Sequence, residues 1–272
     1  MNVTGFNKFL KQYKEEINID DFYDERKIYP LKKTNKQILG SENIGAIFLN
    51  YFTDSGSVLD IGGNAGNLLL YDDKIGIIEK YSCLDVSKLA IDYGKFLHPN
   101  SNFYYYNKFN WIYNITGEPN VKYPEIEEHD YTFLYNVALC CDYRDLIEIL
   151  QFAFKKTRKK IVFNVWNKNN INLLNIIYRK FYDIDITRWP KLDNNIFYLL
   201  CTSRWDKDRG DDIKMFDKDS FISNKILKLS SCSGFYAFYN IDYLKQRLIN
   251  IFNCEVEIST PDETSTVYTL YK

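Results

Sequence analysis

The chain has 272 residues, 46% of them hydrophobic, with 35 Lys and Arg against 36 Asp and Glu and a net charge of -1. That length and apolar content exclude a disordered chain, and the near-cancelling charge excludes a polyanion binder that works through bulk electrostatics. Six cysteines without C-x-x-C spacing, and Asn7 and Lys8 where a leader peptide needs an apolar run, predict reduced thiols, a cytoplasmic protein and no metal centre. No window approaches the roughly 20 apolar residues of a membrane span.

In chain order, residues 1–50 offer helical segments at Asn7 to Ile17 and Ile44 to Tyr51 around Phe22 to Pro30. From Ser57 a strand and helix alternation begins, which predicts a parallel sheet. Ser57 to Ile61 is a short apolar run that stops at Gly62-Gly63, the signature of a buried strand entering a tight turn. Tyr81 to Val86 reads as the second strand, and Ser87 caps a helix whose apolar positions Leu89, Ala90, Tyr93, Phe96 and Leu97 share one face up to His98-Pro99. Phe103 to Tyr106 is the third strand, Tyr131 to Leu139 the fourth, Tyr143 to Lys156 an amphipathic helix and Ile161 to Trp166 the fifth strand. The segment 167–236 breaks the rhythm and reads as an insertion or lid, with one helix at Ile171 to Phe181 and a mixed-charge stretch from Trp205 to Asp219. A helix at Ile241 to Phe252 then leads to strands at Cys254 to Thr260 and Ser265 to Tyr271, joined closely enough that they must be antiparallel. The expected organisation is one domain over 1–272: a core of 51–166 and 237–272, a helical segment 1–50, and the insertion.

The chemistry concentrates at Asp60-Ile61-Gly62-Gly63-Asn64-Ala65-Gly66, which ends the first strand, and at Asp85, which ends the second. In a doubly wound sheet these ends lie side by side, where glycines admit close backbone approach and a carboxylate can grip a ribose diol. A nucleoside-bearing cofactor is implied. The dinucleotide pattern wants glycine at Ile61, and Asp60 puts negative charge where a pyrophosphate would sit. S-adenosylmethionine, with a sulfonium, an α-ammonium, a diol and no phosphate, suits the charge better.

Over Tyr51 to Trp166 and the last 35 residues the sequence resembles the class I S-adenosylmethionine-dependent methyltransferases. The resemblance rests on Val58 to Gly66, Cys83-Leu84-Asp85-Val86-Ser87, Tyr135 to Leu139 and Lys160 to Val165. It implies a doubly wound, Rossmann-like α/β fold with a mostly parallel seven-stranded sheet and a reversed last strand. It further implies that Asp60, Gly62, Gly63, Asn64, Gly66 and Val86 border the cofactor, Asp85 holds the ribose hydroxyls, Asn107 meets the adenine and Asn136 faces the methyl. Two departures stand out: Asn107 replaces the usual acid after the third strand, and Lys155 to Lys160 replaces the usual proline-glycine turn before the fifth.

Methyl transfer is an in-line displacement, so positioning dominates and no obligatory triad is required. His98 and His129 fall at the amino ends of strands, away from the expected cofactor edge, and read as structural. Asp142 is the best-placed candidate base, though it also suits a helix N-cap. Tyr23, Tyr29, Tyr113 and Trp166 are candidate walls of an acceptor pocket. Adjacent Cys140 and Cys141 read as core, and the stretch Asp206 to Asp217 departs from a calcium loop at Gly210, Asp211 and Asp217. The expected reaction is O-methylation of a small molecule or sugar. The alternatives are an RNA cap or ribose methyltransferase, for which Lys36, Asp142, Lys168 and Glu263 stand in the order of a Lys-Asp-Lys-Glu tetrad, and an inactive accessory protein that keeps the fold.

Overall fold

The computed structural model describes residues 51–52, 54–69, 76–86, 88–106, 122–138, 141, 143–167, 196–202, 214–217, 232–260 and 265–272. The expected helices at 7–17, 44–51 and 171–181, most of the 206–217 stretch, and the tetrad residues Lys36, Asp142, Lys168 and Glu263 lie wholly or mainly outside them. The described residues belong to two compact units.

The first unit contains β1 (Gly56–Ile61), β2 (Ile78–Asp85), α1 (Lys88–Leu97), β3 (Asn102–Tyr105) and nearly all of β4 (His129–Leu134). Its strands run in the order β3-β2-β1-β4, and every pairing is parallel. β1 is buried along its whole length, with Val58 and Leu59 fully enclosed, as expected of a central strand covered on both faces. α1 lies so close to β3 that a Cβ on Gly94 would stand 2.3 Å from Cε1 of Phe103, so the contact requires glycine.

The amino-terminal edge of this unit is held by polar side chains. Asp130 accepts from the Ser57 amide at 2.9 Å and its hydroxyl at 2.8 Å, and from Nε of Arg158 at 3.1 Å. Those donors hold its carboxyl down at about 2 against the opposing effect of burial. The basic run is thus partly consumed: Arg158 at the start of β5 serves Asp130. His129 is fully buried, with Nε2 2.9 Å from the Ser82 hydroxyl and Nδ1 3.0 Å from the Glu127 carbonyl. Both histidine nitrogens therefore have partners if the Nδ1–H tautomer is assigned. Burial lowers the His129 pKa below its ordinary value. The unfolded chain then binds the proton more readily, so stability from the neutral imidazole is full above about pH 6.5 and falls as pH drops below it. Urea midpoints measured from pH 7.5 to 5 should fall more steeply for the native chain than for His129→Gln; parallel curves would refute the assignment.

The second unit contains α2 (Tyr143–Lys156) without its last residue, most of β5 (Thr157–Asn167), β6 (Ile196–Thr202), β7 (Lys214–Asp217), β8 (Cys232–Tyr239), α3 (Ile241–Phe252), β9 (Glu255–Ser259) and β10 (Ser265–Tyr271). β10 runs antiparallel to β5 from Ser265↔Trp166 to Tyr271↔Lys160, and β9 runs antiparallel to β10. The ring of Phe163 stacks on that of Tyr268, centroids 5.3 Å apart, inside a core that includes Val162, Leu244, Leu248 and Leu270. α3 starts at Asn240, whose side chain accepts from the Tyr243 amide, and ends at Asn253 in left-handed geometry.

The segment 167–236, read as an insertion with one helix and a mixed-charge stretch, contributes two strands and most of a third that ends at Tyr239. β6 pairs antiparallel with both β7 and β8, and β8 continues parallel to the end of β5 at Trp166↔Phe238 and Asn167↔Tyr239. The expected seven strands are all present, and these three are additional. The fourth strand ends at Leu134, five residues before the expected Leu139, because Asn136 adopts a left-handed backbone, φ 56°, that a strand cannot include.

Candidate cofactor site

At the carboxyl ends of β1 and β2 the first unit builds a compact polar cluster. The chain leaves β1 through Gly62 (φ 77°), Asn64 (φ 56°) and Gly66 (φ 84°), three left-handed residues in five. Glycine at two of these removes the Cβ penalty, and asparagine is among the side chains that tolerate it best. The Gly62 amide donates to the Leu84 carbonyl at 2.7 Å, tying the turn to β2, and the amides of Gly66 and Asn67 donate to the Gly63 carbonyl.

Asp85 closes the turn from the other strand. One of its carboxylate oxygens accepts from the Asn64 amide at 2.9 Å, while its own carbonyl accepts from the Tyr106 amide at the end of β3. Asp85 is half-buried and Val86 follows it, also half-buried. The structure thus gathers Asp60, Gly62, Gly63, Asn64, Gly66, Asp85 and Val86 in one place. Asn136 belongs to the second unit, where its amide donates to Oδ1 of Asn164 at 2.7 Å and its own Oδ1 accepts from Nδ2 of Asn164 at 2.9 Å. Asn164 is 1% exposed, so this two-point clasp orients the exposed Asn136 from beneath. Trp166 lies on β5, but its side chain, like Asn107, Asp142, Tyr23, Tyr29 and Tyr113, lies outside the described residues.

Asp60 differs from its expectation as a fixed negative charge. Its side chain is 5% exposed and accepts from the Tyr81 hydroxyl at 2.6 Å. Burial pushes its carboxyl up to about 7, against the lowering effect of the Tyr81 hydrogen bond, and the neighbouring Asp85 charge raises it further. Its charge is therefore conditional near neutral pH. Burial also drives the Tyr81 hydroxyl and the Cys83 thiol well above their ordinary ranges. Both remain protonated donors, and the Cys83 thiol lies 3.3 Å from the Asn64 carbonyl. Gly63 is explained here too: a Cβ on it would come within 2.4 Å of the Asp60 carboxylate and 2.9 Å of the Tyr81 hydroxyl. Sequence reasoning missed Tyr81 and did not assign Asn164 a role. The parallel register Val58↔Tyr81 and Asp60↔Cys83, once known, places Tyr81 beside the first-strand acid.

The chemistry of this donor set fits a ribose and a cation better than a phosphate. Two carboxyls within each other's field would repel a pyrophosphate, whereas a diol can donate to Asp85 and a positive group relieves the repulsion.

With strand order β3-β2-β1-β4 in one unit and the β5-β10-β9 arrangement with its reversed strand in the other, the chain has the Rossmann-like fold of the class I methyltransferases. Among solved structures, it is similar to a DhpI complex with SAM and HEP at 11% identity and TM-score 0.54, covering 92% of this chain and 94% of that one. It is also similar to the PH0226 protein from Pyrococcus horikoshii OT3, at 10% identity and TM-score 0.51 over 88% and 92% of the two chains. An O-methyltransferase family protein from Burkholderia thailandensis matches at 10% identity and TM-score 0.50, over 86% of this chain and 57% of its own. No family model matches the sequence, and no curated protein matches it. Among the described residues no helix is long and apolar enough to cross a membrane.

Proposed function

We propose that this protein is an S-adenosylmethionine-dependent methyltransferase acting on an oxygen of a small molecule or sugar. The observation that carries the reading is the left-handed turn 62–66 set against Asp85, an acceptor-rich and phosphate-averse cluster at the strand edge where doubly wound sheets bind ligands. The cofactor supplies an electrophilic methyl group on sulfur. Asp85 accepts from the ribose hydroxyls while the Asn64 amide holds one of its oxygens in place. The turn lets the backbone approach the amino-acid end, and Asp60 lies behind it as a titratable carboxyl. A net charge of -1 favours a small neutral acceptor over a polyanion.

Calorimetry with S-adenosylmethionine, S-adenosylhomocysteine and NAD tests the cofactor. The first two are expected to bind and NAD is not. Absence of binding in protein shown to be folded would refute the reading. A screen of glycans, small phenols and capped RNA, read as S-adenosylhomocysteine release, then tests the acceptor; turnover on RNA alone would overturn the small-molecule assignment.

A further inference from the structure

The Asp60–Tyr81 pair is more than a structural hydrogen bond, because both groups pack against Gly63 in the turn to which the proposed function assigns the cofactor. Asp60 is the last polar residue of β1, with its carboxyl under Gly63 and almost no solvent to stabilise a charge. Along the sheet it faces Cys83 on β2 and Phe133 on β4. The titratable groups acting on it, among the described residues, all come from β2: Tyr81, which donates to it, Cys83, and Asp85, whose charge opposes its own. Tyr81 and Cys83 stay neutral at neutral pH, and neither carries positive charge in any form, so neither can balance it. β4 contributes an apolar ring. A proton on Asp60 therefore relieves the burial of its charge and the repulsion from Asp85.

We propose that Tyr81 is a positioning residue that holds the Asp60 carboxyl ready to ionise, so that a cationic cofactor binding over the 62–66 turn displaces one proton from Asp60 to solvent. This rests on the cofactor reading above. The step balances simply: the Asp60 O–H bond breaks, its electron pair stays on the carboxylate and the proton leaves to buffer, while the positive charge of the bound α-ammonium takes its electrostatic place. Tyr81 keeps its own proton and donates it to the carboxylate, which holds the charge where the turn can present it. The coupling makes affinity rise with pH through neutrality, the sign expected when the ligand prefers the deprotonated site.

Titrating the full chain with S-adenosylmethionine by calorimetry at pH 7, in phosphate and in Tris, reads proton release directly from the difference in heat between buffers. A release of up to one proton is expected, with tighter binding at pH 8 than at pH 6. In Tyr81→Phe, which keeps the ring but removes the donor, the midpoint of the affinity profile should move to higher pH. In Asp60→Asn, an isosteric change, release should vanish and the profile flatten. His98, whose ring lies beside Gly66, is a further titratable group near the turn, and release that persists in Asp60→Asn would place the proton elsewhere and overturn the proposal. So would binding without release in the native chain, which leaves the cofactor reading standing. Failure of the folded native chain to bind at all would remove both.

Discussion

Replacing Asp85 by Ala is expected to weaken binding of S-adenosylmethionine and S-adenosylhomocysteine by about 100-fold or more while the protein stays folded. Hydrogen bonds to a charged acceptor contribute about 1.5–3 kcal/mol each, and a ribose diol would lose two of them. The fold should tolerate the change, because Asp85 ends its strand and is half-buried, although the Asn64 amide loses its acceptor. That loss has a second consequence: Asn64 holds a left-handed backbone that Asp85 helps to fix, so part of the lost affinity reflects a looser turn. Asp85→Asn separates the two effects. Its amide oxygen can still accept from Asn64, so the turn is kept while the charge is removed, and affinity should fall between the native and Ala values. Calorimetry of all three proteins, with circular dichroism to show the fold, checks this. Native affinity in the Ala variant would remove the ribose assignment.

How legible this site was in the sequence differs residue by residue. The first strand and its glycine turn were readable because a buried parallel strand is a short apolar run, and Val58 to Ile61 stopping at Gly62-Gly63 has few other readings. Helices α2 and α3 fall at the expected residues, since apolar periodicity over more than ten positions is a strong local signal. The strands of the 196–239 region were missed for a physical reason. Ile196 to Thr202 is at least as apolar as β1, but it sits between Pro190 and a charged stretch, and its partners on β8 lie 30 to 43 residues away. Such pairing is tertiary information that no local period carries. The early end of β4 has the same origin. Tyr135-Asn136-Val137-Ala138 looks like more strand, yet Asn164 on β5 captures Asn136 by two hydrogen bonds and bends the chain. The state of Asp60 could not be read at all without knowing that Tyr81, 21 residues on, lies beside it.

Gly63 gives the second large effect, and it separates two explanations of the same glycine. As part of a glycine turn it would serve close approach of a ligand, yet the space its Cβ would occupy already belongs to the Asp60 carboxylate, 2.4 Å away, and the Tyr81 hydroxyl, 2.9 Å away. Asp60 cannot swing aside freely, because it is buried and held by Tyr81. Gly63→Ala is therefore expected to destabilise the protein by about 1–3 kcal/mol, the usual cost of forcing a methyl group into a filled interior. Shortening the obstacle should relieve it: in an Asp60→Ala background the same substitution should cost much less, and the double-mutant cycle by urea denaturation measures the difference. If instead Gly63→Ala leaves stability unchanged and only binding suffers, the turn relaxes outward and the glycine is needed for the ligand. A stability loss that Asp60→Ala repairs would show that the turn owes its shape first to the carboxyl packed beneath it, and that the cofactor meets a surface built around that buried acid.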